Sequence, residues 1–325
     1  MKTKLIALIA ILFGAFSAQA ADYKTDIYVD CKGKGDYRTI SEAIENIRAY
    51  MDYTVTVHIA PGTYAEKIIV PSWLTNVVFE GEDAEKVIIT NNDHANIRRS
   101  ANPYQLGTFR TFTVRVDGCG ITMRNLTIEN NAPKLGQAVA LHTEGDRLIF
   151  ENCRLLGNQD TLFTAGYYAR LYFKECYIEG TTDYIFGPAT AYFKDCTLHC
   201  KANSYITAAS TPQDVKVGYV FDGCKITAAE GVTKVLLGRP WRPYAFTMFI
   251  DCEMGSFISP TGWDNWRNPE NEKTARYGQY GCTGPGADTA RRAPWAKNLD
   301  KATAAEYTDL VKVFTYTTSW NPEEN

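Results

Sequence analysis

Cys153-Arg154-Leu155-Leu156-Gly157-Asn158-Gln159-Asp160-Thr161-Leu162-Phe163 and Cys176-Tyr177-Ile178-Glu179-Gly180-Thr181-Thr182-Asp183-Tyr184-Ile185-Phe186 read as two copies of one phrase. In each, Phe stands three residues before the Cys (Phe150, Phe173), Asp seven after it (Asp160, Asp183) and Phe ten after it (Phe163, Phe186). The Phe-x-x-Cys-x-apolar opening returns at Phe193/Cys196, Phe221/Cys224 and Phe249/Cys252, and less fully at Val116/Cys119. From Cys153 onward these cysteines lie 23, 20, 28 and 28 residues apart, the range in which repeats mean stacked supersecondary units. The apolar runs, such as Arg170 to Phe173 and Ala191 to Phe193, are too closely spaced to leave room for a crossover helix. The pattern therefore predicts an all-β fold, a single-stranded parallel β-helix with one coil per repeat. Neighbouring coils then sit about 4.8 Å apart, which would stack Asp160 on Asp183.

The ends of the chain have their own signals. Lys2 and Lys4 precede an apolar run from Leu5 to Phe16, and Ala18-Gln19-Ala20 has the small residues of a cleavage site. Residues 1–20 thus read as a secretory signal and residues 21–325 as the mature, exported chain, in a periplasm or outside the cell. The run is too short to span a bilayer, so no membrane association is expected after its removal. Residues 38–52 carry Ile40, Ala43, Ile44 and Ile47 at helical spacing, with Thr39 and Glu42 as a capping box, and predict a helix that closes the first coil. Pro61 to Glu66 read as a turn between strands. Between Thr90 and Phe109 the coil pattern fails, which predicts a loop leaving the solenoid. Asn125, Asn130, Asn131 and Asn152 read as turn or ladder residues. Thr303 to Phe314 predicts a tail helix on the coil flank, opened by Thr303 with Glu306.

Without Lys2 and Lys4 the formal charge of −3 becomes about −5, which advertises no nucleic-acid or membrane partner. Nine cysteines in an exported chain raise the question of disulfides. Five of them share one repeat position after Phe and before an apolar residue, the arrangement of an inward-pointing ladder of reduced thiols. The absence of a Cys-x-x-Cys pair and the scatter of four histidines argue against a metal site.

Two carboxylates about 5 Å apart repel by about 3 kcal/mol at an effective dielectric near 20. One of the pair should therefore keep its proton well above the ordinary aspartate range, giving an acid beside a nucleophile or base. Gln159 precedes Asp160, and Gly136-Gln137-Ala138-Val139-Ala140-Leu141 offers a second amide, so neutral donors surround Asp160. Leu237-Gly238-Arg239-Pro240-Trp241 offers Asp183 a guanidinium. Asp183 is accordingly the expected nucleophile and Asp160 the general acid, then base. Because the Cys196 repeat intervenes, Arg239 is expected on a flanking sheet and not two coils further on.

These four motifs, in this order and approximate spacing, resemble the pectin methylesterases (carbohydrate esterase family 8) of the exported bacterial type. Gly62-Thr63-Tyr64-Ala65-Glu66 and Gly284-Pro285-Gly286-Ala287 extend the resemblance over nearly the whole mature chain. It implies a right-handed parallel β-helix that hydrolyses methyl esters of galacturonate in pectin, with no metal or cofactor. By its pattern Asp183 attacks the ester carbonyl and Asp160 protonates the departing methanol and then activates water. Gln137 and Gln159 donate to the oxyanion, and Arg239 orients Asp183. Trp241, Phe186 and Phe163 form apolar walls against the sugar, and Arg242 is a candidate partner for its negative charge. A monomer is expected. Asn158, Thr182 and Tyr184 depart from the residues common in the family, which bears on subsite preference more than on reaction type. A polysaccharide lyase or hydrolase on the same scaffold, a non-catalytic carbohydrate-binding protein and an esterase for another ester remain as alternatives. The lyase calls for an acidic calcium cluster near a base, which the sequence does not display, and the binding protein does not call for all of Asp160, Asp183 and Arg239.

Overall fold

The computed structural model describes residues 23–98 and 104–324. The signal segment read at residues 1–20 lies outside them. Among the described residues, three parallel sheets of eleven, eight and seven strands wrap one continuous core. The chain visits them in turn. Leu148–Glu151 lies in the eleven-stranded sheet, Arg154–Leu156 in the eight-stranded and Leu162–Thr164 in the seven-stranded, and Arg170–Lys174 then returns to the first, one coil further on. This is the single-stranded parallel β-helix that the repeat predicts.

The repeat phrase maps onto the coil one residue type at a time. Phe150, Phe173, Phe193, Phe221 and Phe249 are in register on successive strands and stack inside with ring centroids 4.5–4.8 Å apart. The residue before the repeat Cys turns the chain from the eleven-stranded to the eight-stranded sheet in the left-handed region, as at Asn152, Glu175, Asp195 and Asp251, and Asn125 before Leu126 does the same one coil earlier (φ 47° to 56°). Asn tolerates that conformation and adds a ladder bond, Asn152 Nδ2 donating to Asn125 Oδ1 at 2.9 Å. Asn130, in contrast, sits at a strand end, where its buried amide donates to the carbonyls of Asp93, Thr111 and Val139, each at 3.0 Å.

All nine cysteines are free thiols. Cys153 Sγ donates to Met123 O at 3.3 Å, and from Cys176 onward each ladder thiol donates to the carbonyl of the Phe one coil before it, as Cys176 Sγ to Phe150 O and Cys224 Sγ to Phe193 O, both at 3.3 Å. The ladder continues to Cys282, which donates to Phe249 O, and not back to Cys119. Cys119 opens a strand of the eleven-stranded sheet paired with Thr75, so it stands at another place on the coil.

Helix Ile40–Asn46 covers the first coil with the expected Thr39–Glu42 capping box, over a shorter span than residues 38–52. Pro61 to Glu66 is not simply a turn, since Gly62–Tyr64 pairs with Val87–Ile89 as a strand. Just beyond it Glu66 accepts from the amides of Ile40 and Ser41 at 3.0 and 2.9 Å, a carboxylate at the helix N-terminus. The tail also differs in detail. The helix spans Lys301–Thr308, capped by Asp300 and not Thr303, and a second short helix, Leu310–Val313, is capped by Asp309. Aspartate is the stronger capping acceptor, and each one sits in the extended conformation an N-cap requires. As expected, the tail packs on the flank. Ala304, Val313, Phe314 and Trp320 cover the outer face of the eleven-stranded sheet at Tyr172, Tyr192, Val220 and Met248.

Candidate active site

The seven-stranded sheet carries the site. Strands Leu162–Thr164 and Ile185–Gly187 pair with Leu162 opposite Ile185 and Phe163 opposite Phe186, so the aspartates two residues before each strand fall at matching places. The Asp160 amide donates to Thr182 O at 3.1 Å, and one coil earlier the Ala138 amide donates to Gln159 O at 3.0 Å. Gln137, Gln159, Asp160 and Asp183 are thus gathered on three successive coils. Both aspartates have left-handed backbones, φ 65° at Asp160 and 49° at Asp183, a conformation that Asp adopts more readily than most residues. They are not open groove residues, being only 8% and 6% exposed.

Arg239 forks onto Asp183, Nε to Oδ1 at 3.0 Å and Nη2 to Oδ2 at 2.6 Å. It does not come from a flanking sheet. Strand Leu236–Gly238 belongs to the same seven-stranded sheet, with Tyr205–Ala209 between it and Ile185–Gly187. Two strand spacings are about 10 Å, a distance that an arginine side chain and a carboxylate can span together.

The electrostatics divide the two carboxyls. Burial pushes Asp160 well above the ordinary aspartate value, and the charge of Asp183 pushes the same way. The Arg239 charge and a hydrogen bond from the Gln159 side chain oppose them. Burial also raises Asp183, but there the two Arg239 hydrogen bonds and the guanidinium charge act directly against it, while nearby Asp264 adds to the rise. The expectation of a plainly ionised Asp183 omitted this burial. What stands is the order, with Asp160 the firmer proton holder. Arg239 is held charged, because its pairing with Asp183 outweighs the cost of its own burial.

An apolar floor lies beside the carboxyls. Phe163 and Phe186 stack at 4.6 Å, and Trp241 meets Phe186 edge-on at 5.9 Å. Arg242 is exposed, its guanidinium 4.7 Å from the Trp241 ring centre. The segment where the coil pattern fails returns to this floor, bringing Phe109 to 5.0 Å from Phe163. Through the Ala95 amide, which donates to Gln137 O at 2.8 Å, the same segment also fixes the turn bearing Gln137.

Sequence reasoning assigned a role to every residue of this constellation except Phe109, which it gave only as the end of the loop, and four neighbours. His142 lies 4.8 Å behind Phe163, in register with it, and pairs with Glu144 at 2.9 Å. Tyr205 and Trp266 flank Arg239, and Asp264 lies beside them. Trp266 falls in Gly262-Trp263-Asp264-Asn265-Trp266, where the repeat has ended, so no period marks it as part of a site built on the repeat.

Comparison with known proteins places relatives beside this geometry. The family model described as Pectinesterase matches residues 26–316. "Pectinesterase 31" of Arabidopsis thaliana is 37% identical over 278 residues, covering 84% of this chain and 87% of its own. The structure of a pectin methylesterase from carrot superposes with a TM-score of 0.83 at 30% identity, over 89% of this chain and 92% of the other. A pectin methylesterase variant solved in complex with a hexasaccharide gives 0.80 at 28% identity, over 91% and 98%.

Proposed function

This chain belongs to the pectinesterase family, and on that footing we propose that Asp183 is its nucleophile and Asp160 its general acid and base. The protein is a pectin methylesterase, hydrolysing methyl esters of galacturonate units to methanol and free carboxylate. The assignment of roles rests on one observation: the Arg239 fork holds Asp183, while Asp160, at the matching place one coil earlier, has no such cation on its carboxyl among the described residues.

From that asymmetry the steps follow. An Asp183 oxygen forms a bond to the ester carbonyl carbon, whose π electrons move onto oxygen. As the tetrahedral centre collapses the bond to methoxide breaks, and the proton on Asp160 goes to it, so methanol leaves and a mixed anhydride on Asp183 remains. Asp160, now a base, takes a proton from water as the water oxygen attacks that carbonyl, and Asp183 departs as carboxylate. Gln137 and the second amide N–H of Gln159 are the proposed donors to the oxyanion, each worth about 3 kcal/mol in comparable sites. Phe163, Phe186 and Trp241 are the proposed platform for sugar and methyl groups, and exposed Arg242 the partner for a free carboxylate. These steps use side chains alone, with no cofactor.

Export of residues 21–325 as a monomer completes the proposal. Among the described residues no helix is long and apolar enough to cross a membrane. The test is methanol release from highly methyl-esterified homogalacturonan by the purified mature chain and its Asp183→Ala variant, with chelator present. Methanol from the wild type alone, at unchanged chain length, is expected. Undiminished methanol from Asp183→Ala, or shortened chains with unsaturated ends, would overturn the assignment.

A further inference from the structure

The guanidinium of Arg239 lies between two aromatic rings. Its central carbon is 4.0 Å from the ring centre of Tyr205 and 3.8 Å from that of Trp266. A guanidinium presents its donors only in its own plane and its weakly hydrated faces above and below. With a ring on each face, only the edge remains for hydrogen bonding, and that edge meets Asp183 at 3.0 and 2.6 Å.

The rings reach Arg239 from different parts of the chain. Tyr205 opens the strand between those of Asp183 and Arg239. Trp266 comes from the irregular segment after the repeat, with its backbone at φ 59° and that of Arg267 at 57°. Two consecutive bulky side chains in the left-handed region persist only where their surroundings over-determine them. Here Asp264 supplies the constraint. Its Oδ1 accepts from the Trp266 amide at 2.7 Å, and its own amide donates at 3.2 Å to the carbonyl of Gly238, the residue before Arg239. The strained turn is tied to the strand end that bears the arginine.

Resting on the role given to Arg239 above, we infer that Tyr205 and Trp266 are positioning residues, a two-sided aromatic clamp that sets the guanidinium plane and aims its fork at Asp183. Without either ring the guanidinium can rotate and take up water on the freed face. The fork then spends less time on Asp183, and the interaction opposing the burial of that carboxylate weakens. Since the nucleophile must be ionised, the rate falls and the acid limb of the pH–rate profile moves to higher pH.

The experiment compares Tyr205→Leu, Tyr205→Phe, Trp266→Leu and Trp266→Phe with Arg239→Ala in methanol release, recording kcat, KM and the acid limb, with melting curves to confirm folding. Expected is a fall in kcat of about 10–100-fold for each Leu variant at little-changed KM. The acid limb should shift upward with it, and each Phe variant should recover most of the rate. A KM rise alone for Trp266→Leu, with kcat and acid limb unmoved, would make that ring a sugar platform and overturn the clamp. So would Phe variants as impaired as the Leu ones, or a folded Tyr205→Leu of wild-type rate. A wild-type rate for Arg239→Ala would instead remove the role of Arg239 itself, and the clamp with it.

Discussion

Asp160 and Asp183 share a place on successive coils, a left-handed backbone and near-complete burial, yet only Asp183 receives an arginine fork. The local chain therefore makes the two alike, and a residue from two coils further on makes them different. A repeat fold supplies matched pairs of carboxyls cheaply. Their division into acid and nucleophile needs a partner that does not repeat, and Arg239 is that partner.

The burial of Asp160 has a consequence for stability. Folding raises this carboxyl above its ordinary 3.8. Below that value both folded and unfolded chains hold the proton and nothing is lost. As pH rises from there through the raised value, the unfolded chain ionises first and folding becomes less favourable. Asp160→Asn removes this penalty. Its melting temperature should exceed that of the wild type at pH 8, by about 2–4 °C for each kcal/mol relieved, and the gap should close toward pH 4. Turnover should fall more than about 100-fold. Parallel melts at the two pH values decide it, and a less stable variant at pH 8 would sink the idea.

Arg239→Leu should have the opposite effect on stability. It leaves Asp183 buried without its cation, and breaking such a pair from one side costs about 3–5 kcal/mol. Adding Asp183→Asn should restore most of that loss without restoring any activity, because an amide tolerates burial but is no nucleophile. Denaturant unfolding of the two single variants and the double gives the coupling directly. A double variant no more stable than Arg239→Leu would show that the fork does not hold the fold.

The legibility of this site in the sequence follows the repeat. Phe150, Cys153, Asp160 and Phe163 recur with fixed offsets in the next coil, so the fold, the stacked aspartates and the aromatic floor could be read before any coordinates. What the repeat does not encode had to come from three dimensions. The Arg239 fork was legible as chemistry but not as geometry, because spacing along the chain does not show how far an arginine reaches across a sheet. Tyr205 was hidden in an ordinary strand, and Trp266 in a segment with no period at all. The tail helix was expected on the coil flank, where it lies, but with the wrong cap, since Asp300 and Thr303 are both good N-caps and only packing chooses between them.

The thiol ladder can be counted chemically. Cys153, Cys176, Cys196, Cys200, Cys224 and Cys252 are buried, and Cys31, Cys119 and Cys282 are partly so. Burial also pushes the Cys200 thiol up to about 12, far from reactive. A thiol reagent at pH 8 should therefore reach at most three groups in the native protein and all nine after denaturation. Cys176→Ser should lose about 1–2 kcal/mol, because a more polar group enters an apolar stack, with the site chemistry intact. Rapid native labelling of six or more thiols would contradict the buried ladder.

The tail offers the last prediction, through Arg170. This residue is buried, its Nε and Nη2 donating to Asp146 at 2.9 and 2.6 Å. Its Nη1 donates to the carbonyls of Phe314 and Thr318 at 3.1 and 2.8 Å, and the guanidinium lies 5.8 Å from the Trp320 ring centre. One side chain thus joins a coil, the turn before it and the tail. Glu323 adds a second tie by accepting from Tyr172 at 2.6 Å, but a half-exposed carboxylate at the surface contributes little alone. Arg170→Met should keep the apolar stem and lose all four donor contacts, freeing the tail carbonyls to exchange with water. The expected result is cleavage by a non-specific protease after about residue 309 under conditions that leave the wild type whole, with a lower melting temperature. Methanol release should be retained, because the tail covers the eleven-stranded sheet while the site lies on the seven-stranded one. Protection of the tail equal to that of the wild type would mean that Trp320 and Phe314 hold it by packing alone, and Arg170 would lose its role as the strap.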